Sequence, residues 1–159
     1  MAIRELAETW ASVYSNSVAI RSAVSFAHFG GLICGGGAAV TADLAMLSAL
    51  RRDDDAVSHE IARVHALHRF VIACLAVIVA SGALLLLKDL DALLESRPFW
   101  IKMGLFVALL CNGLLIMWAE SRVAARGSNG HGLLRLAAIA SLILWLATTL
   151  AGTVVPNAL

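Results

Sequence analysis

His28 stands in the run Ala27-His28-Phe29-Gly30-Gly31-Leu32-Ile33-Cys34-Gly35-Gly36-Gly37, inside a stretch without a charged side chain. An imidazole in such a setting can ligate a metal or a cofactor, carry a proton, or hydrogen-bond a neighbouring helix. Gly31 and Gly35 follow it at helical spacing, on nearly the same face. They remove side-chain bulk, so either a second helix or a flat ligand can come close to the backbone.

Five other positions carry comparable chemistry. Lys102 enters an apolar run behind Phe99-Trp100-Ile101, with Met103 after it. His65 and His68 are three residues apart and share a helical face. Asp43 closes the uncharged part of the first apolar run, where Arg69 or a histidine is its expected partner, and Glu120 closes the third. Glu120, His131 and Arg69 stand at the edge of the group formed by Asp43, His65 and His68. His59 reads as an ordinary loop residue. Asp43, His65 and His68 together are a candidate site for copper or another divalent ion.

Four uncharged cores, at residues 22–42, 70–87, 103–119 and 136–159, must position these groups. Each is near the ~20 residues that cross ~30 Å of hydrocarbon. The chain is 60% hydrophobic and 14% charged, which excludes an ordinary soluble domain. The expected fold is an all-α integral membrane protein, an up-down-up-down four-transmembrane-helix bundle forming a single domain over 1–159. Helices are expected at about 18–52, 58–88, 98–125 and 132–156. Residues 1–17 place Ile3, Leu6, Ala7, Trp10, Val13 and Tyr14 on one side, the pattern of an interfacial amphipathic helix. The run Arg51-Arg52-Asp53-Asp54-Asp55 reads as a solvated turn, and residues 126–132 as the third loop. No cleavable signal peptide is expected, because the first apolar run starts late and has no cleavage region. Trp145, in the middle of the last span, reads as core.

Depth decides which polar groups can meet. At 1.5 Å per residue, His28 falls roughly 12 Å outside the midplane and His68 roughly 13 Å inside it. Their separation of about 25 Å prevents them from sharing one iron. An outer cluster of His28 and Lys102, faced by Ser81 and Gly82, is therefore distinct from an inner cluster of Asp43, His65 and His68. Arg51, Arg52, Arg63, Arg69, Arg122, Arg126 and Arg135 outnumber the five basic residues at the other end, so both termini are expected on the non-cytoplasmic side. The three cysteines, Cys34, Cys74 and Cys111, lie one per span without CxxC spacing and give no disulfide or zinc signal. No basic patch outside the membrane flanks points to nucleic acid. The expected partners are the lipid bilayer and a second copy of the chain or a membrane redox protein.

Heme suits the outer cluster. It is flat and apolar, takes a histidine axial ligand, and places its propionates near a cation. The chain also resembles a group of small bacterial four-helix membrane proteins that includes HemJ-type protoporphyrinogen oxidases and CopD-like copper-resistance domains. The likeness rests on Ala27-His28-Phe29-Gly30-Gly31, the Ser81-Gly82 pair and Phe99-Trp100-Ile101-Lys102. It implies a b-type heme on His28, a propionate, substrate or proton partner in Lys102, and a place in the bacterial inner membrane. The third-span histidine of HemJ-type proteins has no counterpart here, where Asn112 and Leu114-Leu115-Ile116 stand. The functional expectation is a heme b protein with a redox or electron-transfer role. The alternative is a metal-handling or accessory membrane protein.

Overall fold

A computed structural model describes residues 2–126 and 130–157. Six helices follow in order: α1 (Ala2–Asn16), α2 (Val18–Ala49), α3 (Asp54–Lys88), α4 (Leu90–Glu95), α5 (Arg97–Arg126) and α6 (His131–Asn157). The described residues contain no strand. Helices α2, α3, α5 and α6 are long and apolar enough to cross a membrane, so the chain is a multi-pass membrane protein. Large apolar side chains such as Phe26, Ile33, Leu114 and Leu146 point outward, as lipid-facing residues do.

The ends of these helices are set by local chemistry. Ser17 caps α2, its hydroxyl accepting from the Ile20 backbone N–H at 3.3 Å. Asp53 caps α3 in the same way, its carboxylate accepting from Ala56 N–H at 2.7 Å. The acidic run is therefore a helix start and not an open turn. Asp54 and Asp55 occupy the positive first turn of α3, four residues ahead of the start expected at 58. Helix α2 stops at Ala49, and residues 50–52 form the turn. The short α4 was not anticipated. Residues 127–129 of the expected third loop lie outside the described residues.

Helix α1 is fastened to the C-terminal end of α3. Ala7 and Tyr14 are buried. Trp10 Nε1 donates to the Leu84 carbonyl at 2.8 Å, and Lys88 Nζ sits 5.4 Å from the Tyr14 ring. Ile3, Leu6 and Val13 stay exposed, leaving an apolar strip for the membrane interface.

The spans form two tight hairpins, α2–α3 and α5–α6, joined where α2 meets α6. Helices α3 and α5 scarcely touch. Glycine explains the first hairpin. A Cβ on Gly35 would lie 2.7 Å from Cys74 Cβ, and one on Gly31 would lie 2.9 Å from Ile78 Cγ1. Moving from Gly35 to Gly31 to His28 on α2 matches Cys74, Ile78 and Ser81 on α3, step for step. Gly36 meets Trp145 of α6 in the same manner, at 3.2 Å, and Trp145 is buried there as core. The second hairpin has a polar clamp, with Asn112 Nδ2 donating to the Ala137 carbonyl at 3.0 Å.

Glycine-to-alanine changes should separate the two faces of α2. Gly35→Ala should lower the thermal midpoint in detergent, with a cost of about 1–3 kcal/mol from the forced overlap. Gly37→Ala, where a Cβ meets nothing within 4 Å, should leave the midpoint unchanged or raise it slightly. Circular-dichroism melts of both variants measure the contrast.

Candidate functional site

The outer cluster is assembled by the α2–α3 register. His28 is 7% exposed. Its Nδ1 lies 3.1 Å from Ser81 Oγ. Ser81 Oγ is in turn 2.6 Å from the Val77 carbonyl, a separation of two oxygens that needs the hydroxyl proton between them. The hydroxyl is thereby committed as a donor to Val77, and it accepts from the imidazole. This assigns the proton of neutral His28 to Nδ1 and leaves Nε2 with a free lone pair. Gly82 gives the ring its room, since a Cβ there would lie 3.3 Å from His28 Cε1.

Lys102 reaches this half from α5. It is half-buried, and its Nζ lies 3.8 Å from where a Cβ on Gly152 of α6 would stand. Among the described residues it forms no ion pair with a carboxylate. Gly31 and Gly35 do not belong to an open wall beside them. The space each would offer a ligand is filled by Ile78 and Cys74 of α3, so both glycines serve helix packing.

The inner cluster differs from its expected composition. Asp43 (α2), His68 (α3) and Glu120 (α5) line a cavity of about 340 Å³ between the spans. His65 points outward and is exposed, its ring centroid 6.0 Å from that of His68. A helix places residues three apart on one side, but His68 turns inward and His65 falls on the lipid edge of that side. Asp43 does not pair with Arg69, which is exposed. Its side chain instead faces Ser141 of α6 and lies near Glu120. Among the described residues no three His, Cys, Asp or Glu side chains are grouped closely enough to hold a metal ion. The site expected from Asp43, His65 and His68 is not assembled. His131 begins α6 and approaches Asp54 at 3.6 Å, away from the cavity, and His59 is exposed.

Ser141 was the residue least visible in advance, and Glu120, expected at the edge of the inner group, lies inside it. Glu120 is 1% exposed, with His68 Nδ1 at 3.7 Å from its Oε2. Its signal was the buried stripe Leu109, Asn112, Ile116, Ala119 and Val123, whose spacing carries Glu120 inward. Ser141 lies on the matching stripe of α6, with Leu134, Ala138, Trp145 and Thr148. The two clusters are well separated, since thirteen residues of α3 between His68 and Ser81 span roughly 20 Å.

No family model, curated protein or solved structure matches the chain.

The tautomer is directly measurable. Nitrogen-15 spectra of the neutral ring should show a protonated Nδ1 and an unprotonated Nε2 for His28. Ser81→Ala should remove this constraint and cost about 1 kcal/mol of stability. A ring protonated on Nε2 in the intact protein would reverse the direction of the His28–Ser81 hydrogen bond.

Proposed function

We propose that the chain is a membrane heme b protein with a redox or electron-transfer role, in which His28 would hold the heme iron. One observation carries this reading: Nδ1 of His28 is held by Ser81, which leaves the Nε2 lone pair for iron. A ligating imidazole generally has its second nitrogen fixed by such a partner, which sets ring orientation and ligand strength. Lys102 supports the reading as a half-buried cation without a carboxylate partner among the described residues, suited to a propionate. The likeness of the first three spans to HemJ-type and CopD-like proteins points the same way.

Within this reading each residue has a limited task. Ser81 fixes the tautomer of His28, and Gly82 admits the ring edge. Lys102 neutralises an anionic group in a region where water cannot. Heme, when bound, supplies one-electron transfer. The inner cavity is a poor second heme site, because Asp43 and Glu120 would repel propionates. A single buried redox centre needs a donor and an acceptor, so the expected partner is a second copy or another membrane redox protein. We place the chain in the bacterial inner membrane with both termini on the non-cytoplasmic side, from the distribution of Lys and Arg.

Optical spectra of protein produced with heme available test the proposal. The intact chain should carry a Soret band. His28→Ala should abolish it, whereas His65→Ala and His68→Ala should retain it. Lys102→Ala should retain a weakened band. A colourless intact protein would falsify the proposal. A band that survives His28→Ala and disappears in His68→Ala would move the iron to the inner half.

A further inference from the structure

The inner cavity has a character of its own. Its polar end brings together Asp43 from α2, His68 from α3, Glu120 from α5 and Ser141 from α6. Asp43 is 7% exposed and Glu120 1%. Asp43 Oδ2, Glu120 Oε2 and His68 Nδ1 are each buried without a hydrogen-bond partner. At 3.7 Å, His68 and Glu120 are too far apart for a hydrogen bond to satisfy either. Among the described residues no lysine or arginine lines the cavity. Two carboxyl groups thus share an apolar enclosure in which the His68 imidazole, 3.7 Å from Glu120, is the one basic side chain among the described lining residues, a costly arrangement unless something supplies further charge and donors.

The rest of the cavity is apolar. Val71 and Leu75 of α3 face Leu109 of α5 across it. Ile72 on α3 and Leu110, Leu114 and Met117 on α5 line it and are also exposed to the exterior, so it opens sideways between α3 and α5. Among the described residues Asp43, His68 and Glu120 are not grouped closely enough to hold a metal ion, which disfavours a bare cation. The enclosure suits a molecule with N–H donors and positive charge at one end and a hydrocarbon body at the other. Its volume of about 340 Å³ is that of a small-ligand site.

We propose that this cavity binds an organic ammonium with a compact apolar body, an aromatic ring or short alkyl chain, its N–H groups donating to Asp43 and Glu120. A free amine is favoured over an ethanolamine lipid headgroup. The headgroup's phosphate is two carbons from its ammonium and would be carried toward the same carboxylates.

The probe is 4-bromobenzylammonium, with 4-bromobenzyl alcohol as its neutral counterpart, titrated into the full chain in phosphatidylglycerol nanodiscs. Trp145 is the tryptophan that lines the cavity, and bromine quenches its emission at contact. The amine should quench saturably in the intact chain and not in Trp145→Phe, while the alcohol shows only linear partitioning. Asp43→Asn and Glu120→Gln should weaken the amine by at least about tenfold. Gly113 also lines the cavity, and a Cβ there meets nothing within 4 Å, so Gly113→Leu fills the space and spares both carboxyls. It should abolish quenching while the protein elutes as the intact chain does, which decides the matter if a carboxamide variant fails to fold. Equal saturation by the alcohol, or unchanged amine binding in Gly113→Leu, overturns the proposal. Displacement of the amine by added phosphatidylethanolamine transfers the site to a lipid headgroup and overturns the free-amine assignment. The heme proposal is unaffected by any of these outcomes, since none involves His28.

Discussion

The approach of α2 to α3 at Gly31 and Gly35 governs the outer half of the molecule. Within hydrocarbon, helices gain nothing from hiding apolar surface from water, so association depends on close packing and hydrogen bonds between helices. Two glycines on one face let the α3 backbone come near enough for the Cys74 carbonyl to lie 3.3 Å from the Gly31 Cβ position. The register fixed there, continued one turn outward, sets Ser81 beside His28 and Gly82 beside its ring edge. The imidazole is thus oriented by packing one and two turns away, at Gly31 and Gly35, and its hydrogen bond follows from that packing. A cofactor reading of the glycines mistakes the cause of the site for its wall.

The inner half is governed by an imbalance between contacts. Small residues and the Asn112 clamp draw α5 onto α6, and glycines draw α2 onto α3 and Trp145. Nothing comparable joins α3 to α5. The bundle therefore closes on three sides and remains open on the fourth. At the inner end the core around Val57, Ala119 and Leu134 seals it, and at the outer end Leu93, Phe99 and Val155 do so. The cavity occupies the stretch between these seals. Its location follows from which helix pairs carry small residues and which do not.

The architecture was legible because span length, charge-free cores and helical period all act within a single segment. Trp145 was legible as core for the same reason. The start of α3 was misread because Asp53, Asp54 and Asp55 look alike in sequence, while one is a cap and the others are first-turn residues. That distinction exists only once backbone dihedrals are set. Depth alone sufficed to separate His28 from His68, since rise per residue is a constant of the helix. Rotation about the helix axis did not follow as easily. His65 and His68 lie on one broad face, but the direction of that face depends on which neighbours α3 chooses, and a single segment does not contain this. Glu120 shows the reverse case. Its depth at the end of an apolar run placed it only at the edge of the inner group, and the buried stripe of α5 carries it inside.

Polar groups with a structural task in this bundle are satisfied. Asn112 reaches a carbonyl of α6, Trp10 a carbonyl of α3, and Ser81 and Thr149 carbonyls of their own helices. Such pairing is what hydrocarbon demands, where an unmet donor or acceptor costs several kcal/mol. Six buried side-chain atoms among the described residues have no partner, and three of these, on Asp43, His68 and Glu120, belong to one cavity. Half of that deficit among the described residues is thus gathered at a single place with access from the membrane. Burial of a carboxyl pair contributes nothing to helix association that Leu or Ala would not contribute better. The pair is therefore better explained by what enters the cavity than by what holds the helices together. His28 contrasts with it: its Nδ1 is engaged by Ser81, and it carries no unmet charge in the bundle.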